Sequence, residues 1–404
     1  LRQVMQSCHF SNAKSGMTPS RFRTGIELLL VRRPSLLRGR KLGVLSHSAA
    51  VDAAGRSTVQ LLIEGGFKVA ALFGPEHGFF GQAPAGQAVA TTRHPAWNIP
   101  IVSLYGAQRK PSPSALHRIE VLLMDMQDLA VRTYTYVSTL AGTLRAAAAA
   151  GIRVIVADRP VPFGAITDGP MLDPSFSSFV GAVETPLVYG MTPAETAIWL
   201  KQRMIHNADI VPAPMEGWNR RSFPGDPLRP WTPPSPGIRS RESALCYPAT
   251  VFGEAIPSID IGRGTLLPFQ LFGAPWARSR QLMERLQDAG TPGVAFAPHA
   301  YLAEIGRHKG RLIDGVRMVV TDPAAYRPAF TAVTIIHVLQ EIVGRAAFWR
   351  DPELRSDFFD KLMGTDRVRV ALMNGESPAA IAGEWEAAKQ KFLADRRKAL
   401  LYQA

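Results

Sequence analysis

Cysteine is almost absent: Cys8 and Cys246 are the only two in 404 residues. That excludes a disulfide scaffold and a zinc or iron–sulfur centre built from cysteine. Long apolar runs are also lacking, because Arg145 and Arg153 interrupt the best stretch before it reaches the roughly 18 residues of a membrane span. No G-x-G-x-x-G follows a strand pattern, so dinucleotide binding is not indicated, and there is no P-loop, H-E-x-x-H or G-x-S-x-G elbow. Acidic residues are outnumbered, 33 Asp plus Glu against 46 Lys plus Arg, for a formal charge of +13. Such a field favours an acidic partner, whether nucleic acid, anionic membrane or acidic glycan. The basic cluster Arg32, Arg33, Arg38, Arg40 and Lys41 carries no aromatic interleaving, so a solvated face is expected and no nucleic-acid partner.

What is present suits a soluble, globular chain with a sizeable core: 46% of residues are hydrophobic and 20% charged. Residues 1–23 are polar, with no apolar h-region, and are expected to be a disordered or leader-like arm. The chain opens on Leu1 rather than Met, which leaves cytoplasmic and exported locations both open.

From Lys41 onward, short apolar runs alternate with helical patterns. Strands are predicted at Lys41–Leu45, Lys68–Phe73, Ile99–Leu104, Val121–Met126, Ile152–Ala157 and Asp209–Val211, and helices at Ser57–Glu64, Ser114–Ile119, Thr135–Ala150 and Thr192–Met204. The last opens Thr-Pro-Ala-Glu, a capping box with Pro at the first helical position. This alternation predicts an α/β fold, a Rossmann-like parallel sheet over residues 24–237. The Pro-, Gly- and Arg-rich stretch from Trp218 to Pro236 then leads into a smaller α/β (α+β) domain over residues 238–404. There a strand is expected near Cys246–Phe252, a helix at Ala277–Ala289, a strand at Gly315–Val320, and helices from Phe330 to Ile342 and Pro378 to Leu400.

Ligands of open parallel sheets bind beyond the carboxyl ends of the strands, and the polar clusters fall there. They are Ser46-His47-Ser48 with Asp52, then Pro75-Glu76-His77-Gly78, Tyr105-Gly106, Asp125-Met126-Gln127-Asp128 and Asp158-Arg159. Glu76 is stiffened by Pro75 and has Phe73, Phe79 and Phe80 nearby, a setting in which a carboxyl serves either as a general acid or as a solvated loop residue. If the segment after Asp128 is extended, Arg132, Tyr134 and Tyr136 share a side, with Arg suited to a carboxylate and Tyr to a ring face. Equally, Asp128 and Arg132 pair to brace the loop. Gly262-Arg263-Gly264 is a weak anion-binding signal. His47, Asp52, Glu76, His77, Asp125 and Asp128 lack diagnostic metal-ligand spacing, so no metal and no cofactor are expected.

In order along the chain, LFGPEHGFFG, SLYG, MDMQDLAVRTYTYVSTL, DRPVPFG, SSFVG, YGMTPAE, EGWNR, IGRGTLLPF and FGAPW resemble the NamZ-like exo-β-N-acetylmuramidase family, formerly a domain of unknown function. The resemblance implies a Rossmann-like domain joined to a smaller α/β domain, with the site in the cleft between them. It implies removal of N-acetylmuramic acid from the non-reducing end of peptidoglycan fragments, with a muropeptide or related glycan as substrate partner. Glu76 matches the family glutamate expected as the catalytic acid. Asp125, Asp128 and Asp52 are candidates for a second carboxylate, which lies about 5–5.5 Å away in retaining enzymes and roughly 6.5–9.5 Å in inverting ones. Arg132 or Arg263 is expected to clamp the lactyl carboxylate and Tyr134 or Tyr136 to face the ring, with His77 and Arg159 completing the substrate-binding set. The chain departs from the family at Ser46-His47-Ser48-Ala49, Val161, Gly237 and Ser258-Ile259-Asp260-Ile261. A non-catalytic glycan-binding relative and a metal-dependent hydrolase of an anionic small molecule are the alternatives.

Overall fold

Strand residues that alternate between two apolar layers explain the central sheet. In β1 (Lys41–Ser46), Leu42 and Val44 face one layer and Leu45 the other; in β5 (Val121–Asp125), Val121 and Leu123 oppose Leu122 and Met124. Both faces are therefore buried, as a parallel sheet requires. The computed structural model describes residues 22–221 and 231–403. Cys8, the rest of the expected N-terminal arm up to residue 21, and positions 222–230 of the Pro-rich stretch lie outside the described residues.

The other strands of this sheet are β2 (Lys68–Gly74), β3 (Thr92–Arg93), β4 (Pro100–Ser103), β6 (Arg153–Ala157) and β9 (Ile210–Ala213). Their order is β3-β4-β2-β1-β5-β6-β9, with β3 antiparallel at one edge and every other pairing parallel. Without β3, this is the 3-2-1-4-5-6 order of doubly wound sheets. A hairpin of β7 (Asp168–Met171) and β8 (Pro186–Val188) lies outside the sheet. The second α/β domain has β10 (Leu271–Phe272), β11 (Val294–Leu302) and β12 (Leu312–Val320), antiparallel in the order β10-β12-β11. Among the described residues, no helix is long and apolar enough to cross a membrane.

Two sequence expectations need correction. Cys246–Phe252 is not a strand: Arg241–Thr250 is a helix, started by the Ser240 hydroxyl accepting from the Ser243 amide, and Val251–Glu254 continue it as a 3₁₀ turn. Pro248 inside it gives up one helical hydrogen bond, and burial of Ala244 through Thr250 overrides that local cost. The expected helix Pro378–Leu400 is broken into Pro378–Gly383, Glu386–Arg396 and a turn at Arg397–Ala399. The strand β11 was not expected, since Pro298 argues against one; as an edge strand it tolerates the missing donor.

One apolar cluster runs through both domains, joining Leu140 and Tyr189 to Phe252, Leu339 and Phe359. Polar ties reinforce it. Asp168 caps the helix Pro328–Val343 by accepting from the amides of Ala329 and Phe330. Tyr402 donates to Asp158 at 2.5 Å and accepts from the Met215 amide, while the Leu401 amide donates to Glu195. Arg132, wholly buried, donates to the carbonyl oxygens of Pro170, Thr185 and Met363, so its fork joins the β7–β8 hairpin to the second domain.

Arg132→Met should therefore strand three buried carbonyl groups at once, a loss of about 3 kcal/mol or more. Urea denaturation checks this, and Arg132→Lys should recover only part, because one ammonium cannot reproduce the fork. A Met variant as stable as the parent contradicts the assignment.

Candidate functional site

A cleft of about 650 Å³ opens beyond the carboxyl ends of β2 and β4 and is walled on its other side by the second domain. The first domain brings Glu76, His77, Tyr105, Arg109, Thr133, Tyr134 and Thr135; the second brings Tyr247, Glu254, Arg263, Arg355 and Lys361.

Glu76 reaches the cleft through a tight turn directly after β2. The Gly78 amide donates to the Pro75 carbonyl at 3.0 Å, and His77 takes φ 68°, the left-handed conformation that the third position of a type II turn demands. His77 is held there by its Nδ1–H donating to the Ala83 carbonyl at 2.7 Å. The Glu76 carboxylate, 7% exposed, accepts from the Gly86 amide at 3.0 Å and from the Thr135 hydroxyl at 2.6 Å. Burial, and then the Glu76 charge, push the nearby Tyr105 phenol up to about 12.

The floor is aromatic. Tyr134 stands edge-on to Tyr247, with centroids 5.8 Å apart, and Tyr247 in turn to Phe269 at 5.0 Å. Opposite them, Arg109 lies over the Phe179 ring at 4.6 Å. Arg263 projects from between Gly262 and Gly264, both at positive φ, where the Gly262 amide is tied to Asp260. Its guanidinium pairs with Glu254 at 3.1 Å. Burial, followed by the Glu76 charge, raises the Glu254 carboxyl, and Arg263 and Arg355 only partly offset this.

Of the residues expected from sequence, Glu76, His77, Tyr134 and Arg263 thus line one cavity, and the others lie elsewhere. The backbone between Val131 and Thr135 turns rather than extends, so Arg132 leaves Tyr134 and enters the domain junction, where its partners are backbone carbonyls and not Asp128. Tyr136 is buried, its hydroxyl donating to the Pro234 carbonyl at 2.6 Å. Asp125 is fully buried, accepting from Arg159 through two nitrogens and from the Thr58 hydroxyl, while Arg159 also donates to the Val51 carbonyl. Asp52 closes a local loop with the Ala54 and Arg56 amides and the Arg56 guanidinium. Burial opposes its charge, but those donors outweigh it and hold its carboxyl below the ordinary value. Among the described residues no three His, Cys, Asp or Glu side chains are grouped to hold a metal ion. Glu254, Tyr105, Tyr247, Arg109, Arg355 and Lys361 were not singled out as site residues. Only the Tyr105-Gly106 strand-end cluster carries a signal; Tyr247 lies within Cys246–Phe252, where a strand is expected, and Glu254 lies two residues beyond it.

Asp128 is buried against its own backbone, accepting from the amides of Leu129 at 2.5 Å and Ala130 at 3.1 Å. Burial pushes its carboxyl up to about 7 despite those donors. The folded chain then keeps this proton where the unfolded chain, near the ordinary value of 3.8, has released it. The group's contribution is full below about pH 4 and is lost as pH rises to about 7. Asp128→Asn keeps the acceptor and cannot ionise. Its melting temperature should rise above that of the parent as pH increases across this window; parallel curves contradict the reading.

The family model described as exo-beta-N-acetylmuramidase NamZ, N-terminal, matches residues 42–242, and its C-terminal counterpart matches residues 245–402. Over 382 residues the chain is 36% identical to the peptidoglycan beta-N-acetylmuramidase NamZ of Bacillus subtilis (strain 168), covering 94% of this chain and 91% of that protein. Crystal structures of two DUF1343 family proteins from Bacteroides fragilis NCTC 9343 share the fold. One has a TM-score of 0.88 at 28% identity and the other 0.75 at 26%, each match covering 95% of this chain and 99% of theirs. With both halves matched in order along one chain, the protein belongs to the exo-β-N-acetylmuramidase NamZ family.

Proposed function

We propose that this cleft removes N-acetylmuramic acid from the non-reducing end of peptidoglycan fragments, with Glu76 as general acid. The observation that carries the reading is a buried carboxyl, oriented by Gly86 and Thr135, facing a cavity of sugar-sized dimensions between aromatic walls. Hydrolysis of a glycosidic bond needs a proton delivered to the leaving oxygen, and a fixed carboxyl beside C1 supplies it. Tyr134 and Tyr247 offer apolar ring surface to the sugar's C–H face. The ionic balance fits the lactyl carboxylate that distinguishes muramic acid from N-acetylglucosamine. The cleft's cations are Arg109, Arg239, Arg263, Arg355 and Lys361, against the carboxylates Glu76 and Glu254. Arg132, sealed in the junction, plays no part in this, and Arg263 approaches the substrate already paired on one side.

On a muramic-acid disaccharide, Glu76→Gln should lower kcat by about 10²–10⁴-fold while its melting curve matches the parent's, since the swap keeps volume and removes the proton. Near-normal kcat makes Glu76 structural. Release of sugar by no form of the protein, with the disaccharide still bound in calorimetry, makes this a glycan-binding relative.

The charge argument gives a separate expectation. An aryl N-acetylmuramide should exceed the matching N-acetylglucosaminide in kcat/KM by about 10²-fold or more, because cations positioned for an anion are left unpaired by the neutral sugar. Equal values for the two substrates remove the lactyl group from the recognition scheme.

A further inference from the structure

We propose that Glu254 is the second carboxylate of this hydrolysis, the group that takes the proton of the attacking water. The inference rests on the muramidase reading and names a partner for Glu76 that the sequence did not.

Position comes first. Glu76 and Glu254 are the carboxylates that line the cleft among the described residues, one from each domain. The three aspartates expected in this role are committed elsewhere: Asp125 to Arg159 and Thr58, Asp52 to Arg56, and Asp128 to two backbone amides. Glu254 ends the 3₁₀ turn Val251–Glu254, so its backbone is held by the helix before it, and its side chain remains 23% exposed to the cavity. A catalytic base must be reachable by water, and this one is.

Its charge is also suited to the task. A carboxylate in this wall needs a counterion to stay ionised, and Arg263 at 3.1 Å provides one without enclosing it. Burial makes Glu254 a stronger proton acceptor than a free carboxylate. Glu76 and Glu254 line the same cavity from the two domains, as an acid and base flanking one bond must.

The step balances as follows. Glu76 gives its proton to the glycosidic oxygen as the bond from C1 breaks, and the bonding pair leaves with that oxygen. A water oxygen bonds to C1 and its proton passes to Glu254. One water is consumed, and the proton gained by Glu254 is returned through solvent to reset Glu76.

The test uses the full chain and a 4-nitrophenyl N-acetylmuramide, whose leaving group departs with little acid assistance. Glu254→Gln and Glu254→Ala should melt like the parent, as Arg263 remains partly solvated. Both should lose about 10³-fold in kcat on this substrate, whereas Glu76→Gln loses far less on it than on the disaccharide. Added azide, which needs no base, should restore turnover by Glu254→Ala and yield a glycosyl azide. Either of two results overturns the inference while leaving the muramidase reading in place: Glu254→Gln within about threefold of the parent, or a folded Glu254→Ala that azide does not restore. A parent chain inert on every muramide overturns the reading itself, and this inference with it.

Discussion

The fork of Arg132 is the contact on which the cleft depends. It stands two residues before Tyr134 and three before Thr135, so the carbonyl groups it binds determine where the aromatic floor and the donor to Glu76 lie. Those carbonyls come from a hairpin of the first domain and a helix end of the second. Loop geometry and domain docking are therefore one constraint. Burial lowers this guanidinium to about 9, a cost that only a side chain with several fixed donors offsets inside a protein. An unpaired arginine here would open the junction to water; the three carbonyls make it a rivet.

A doubly wound sheet offers a ligand crevice where its strand order reverses, here between the ends of β1 and β5. In this chain that crevice is filled. Asp125, Arg159 and Thr58 close it with an internal ion pair, and the buried His47 accepts from the Gln127 amide beside them. His47 is lowered to about 3, mainly by burial and then by Arg159, so it stays neutral there. The working cavity has moved toward β2 and β4, where the second domain supplies a wall. Shared topology with nucleotide-binding sheets thus carries no shared chemistry.

The parallel sheet was legible because its strands are short, apolar on both faces and separated by capped helices; the Thr192 capping box forms as its spacing requires. Glu76 was legible because Pro and Gly around a strand-end carboxylate constrain where it points. The six misplaced candidates share a different cause. Asp52, Asp125, Asp128, Arg132, Tyr136 and Arg159 are polar groups whose partners are backbone atoms or other side chains of the fold, and sequence does not distinguish a side chain that meets a ligand from one that meets such a partner. The second domain was read less well, since Pro248 and Pro298 break local patterns that tertiary burial and an edge position restore. Glu254 lies just beyond the segment Cys246–Phe252, in a 3₁₀ turn whose placement depends on the helix before it.

Tyr402 gives this architecture a temporal consequence. Its hydroxyl meets Asp158 across 244 residues of chain, at the rim of a sheet whose strands have all been made long before. A ribosome adding roughly 5–20 residues per second takes on the order of ten seconds or more to cover that interval. Through that time the nascent sheet holds a half-built polar rim, with the Asp158 carboxyl lacking its phenol and Glu195 lacking the Leu401 amide. The first domain is encoded as an early unit but is completed as a late one. Its vulnerability during synthesis, to proteases and to neighbouring nascent chains, is set by how quickly the downstream chain arrives to close it.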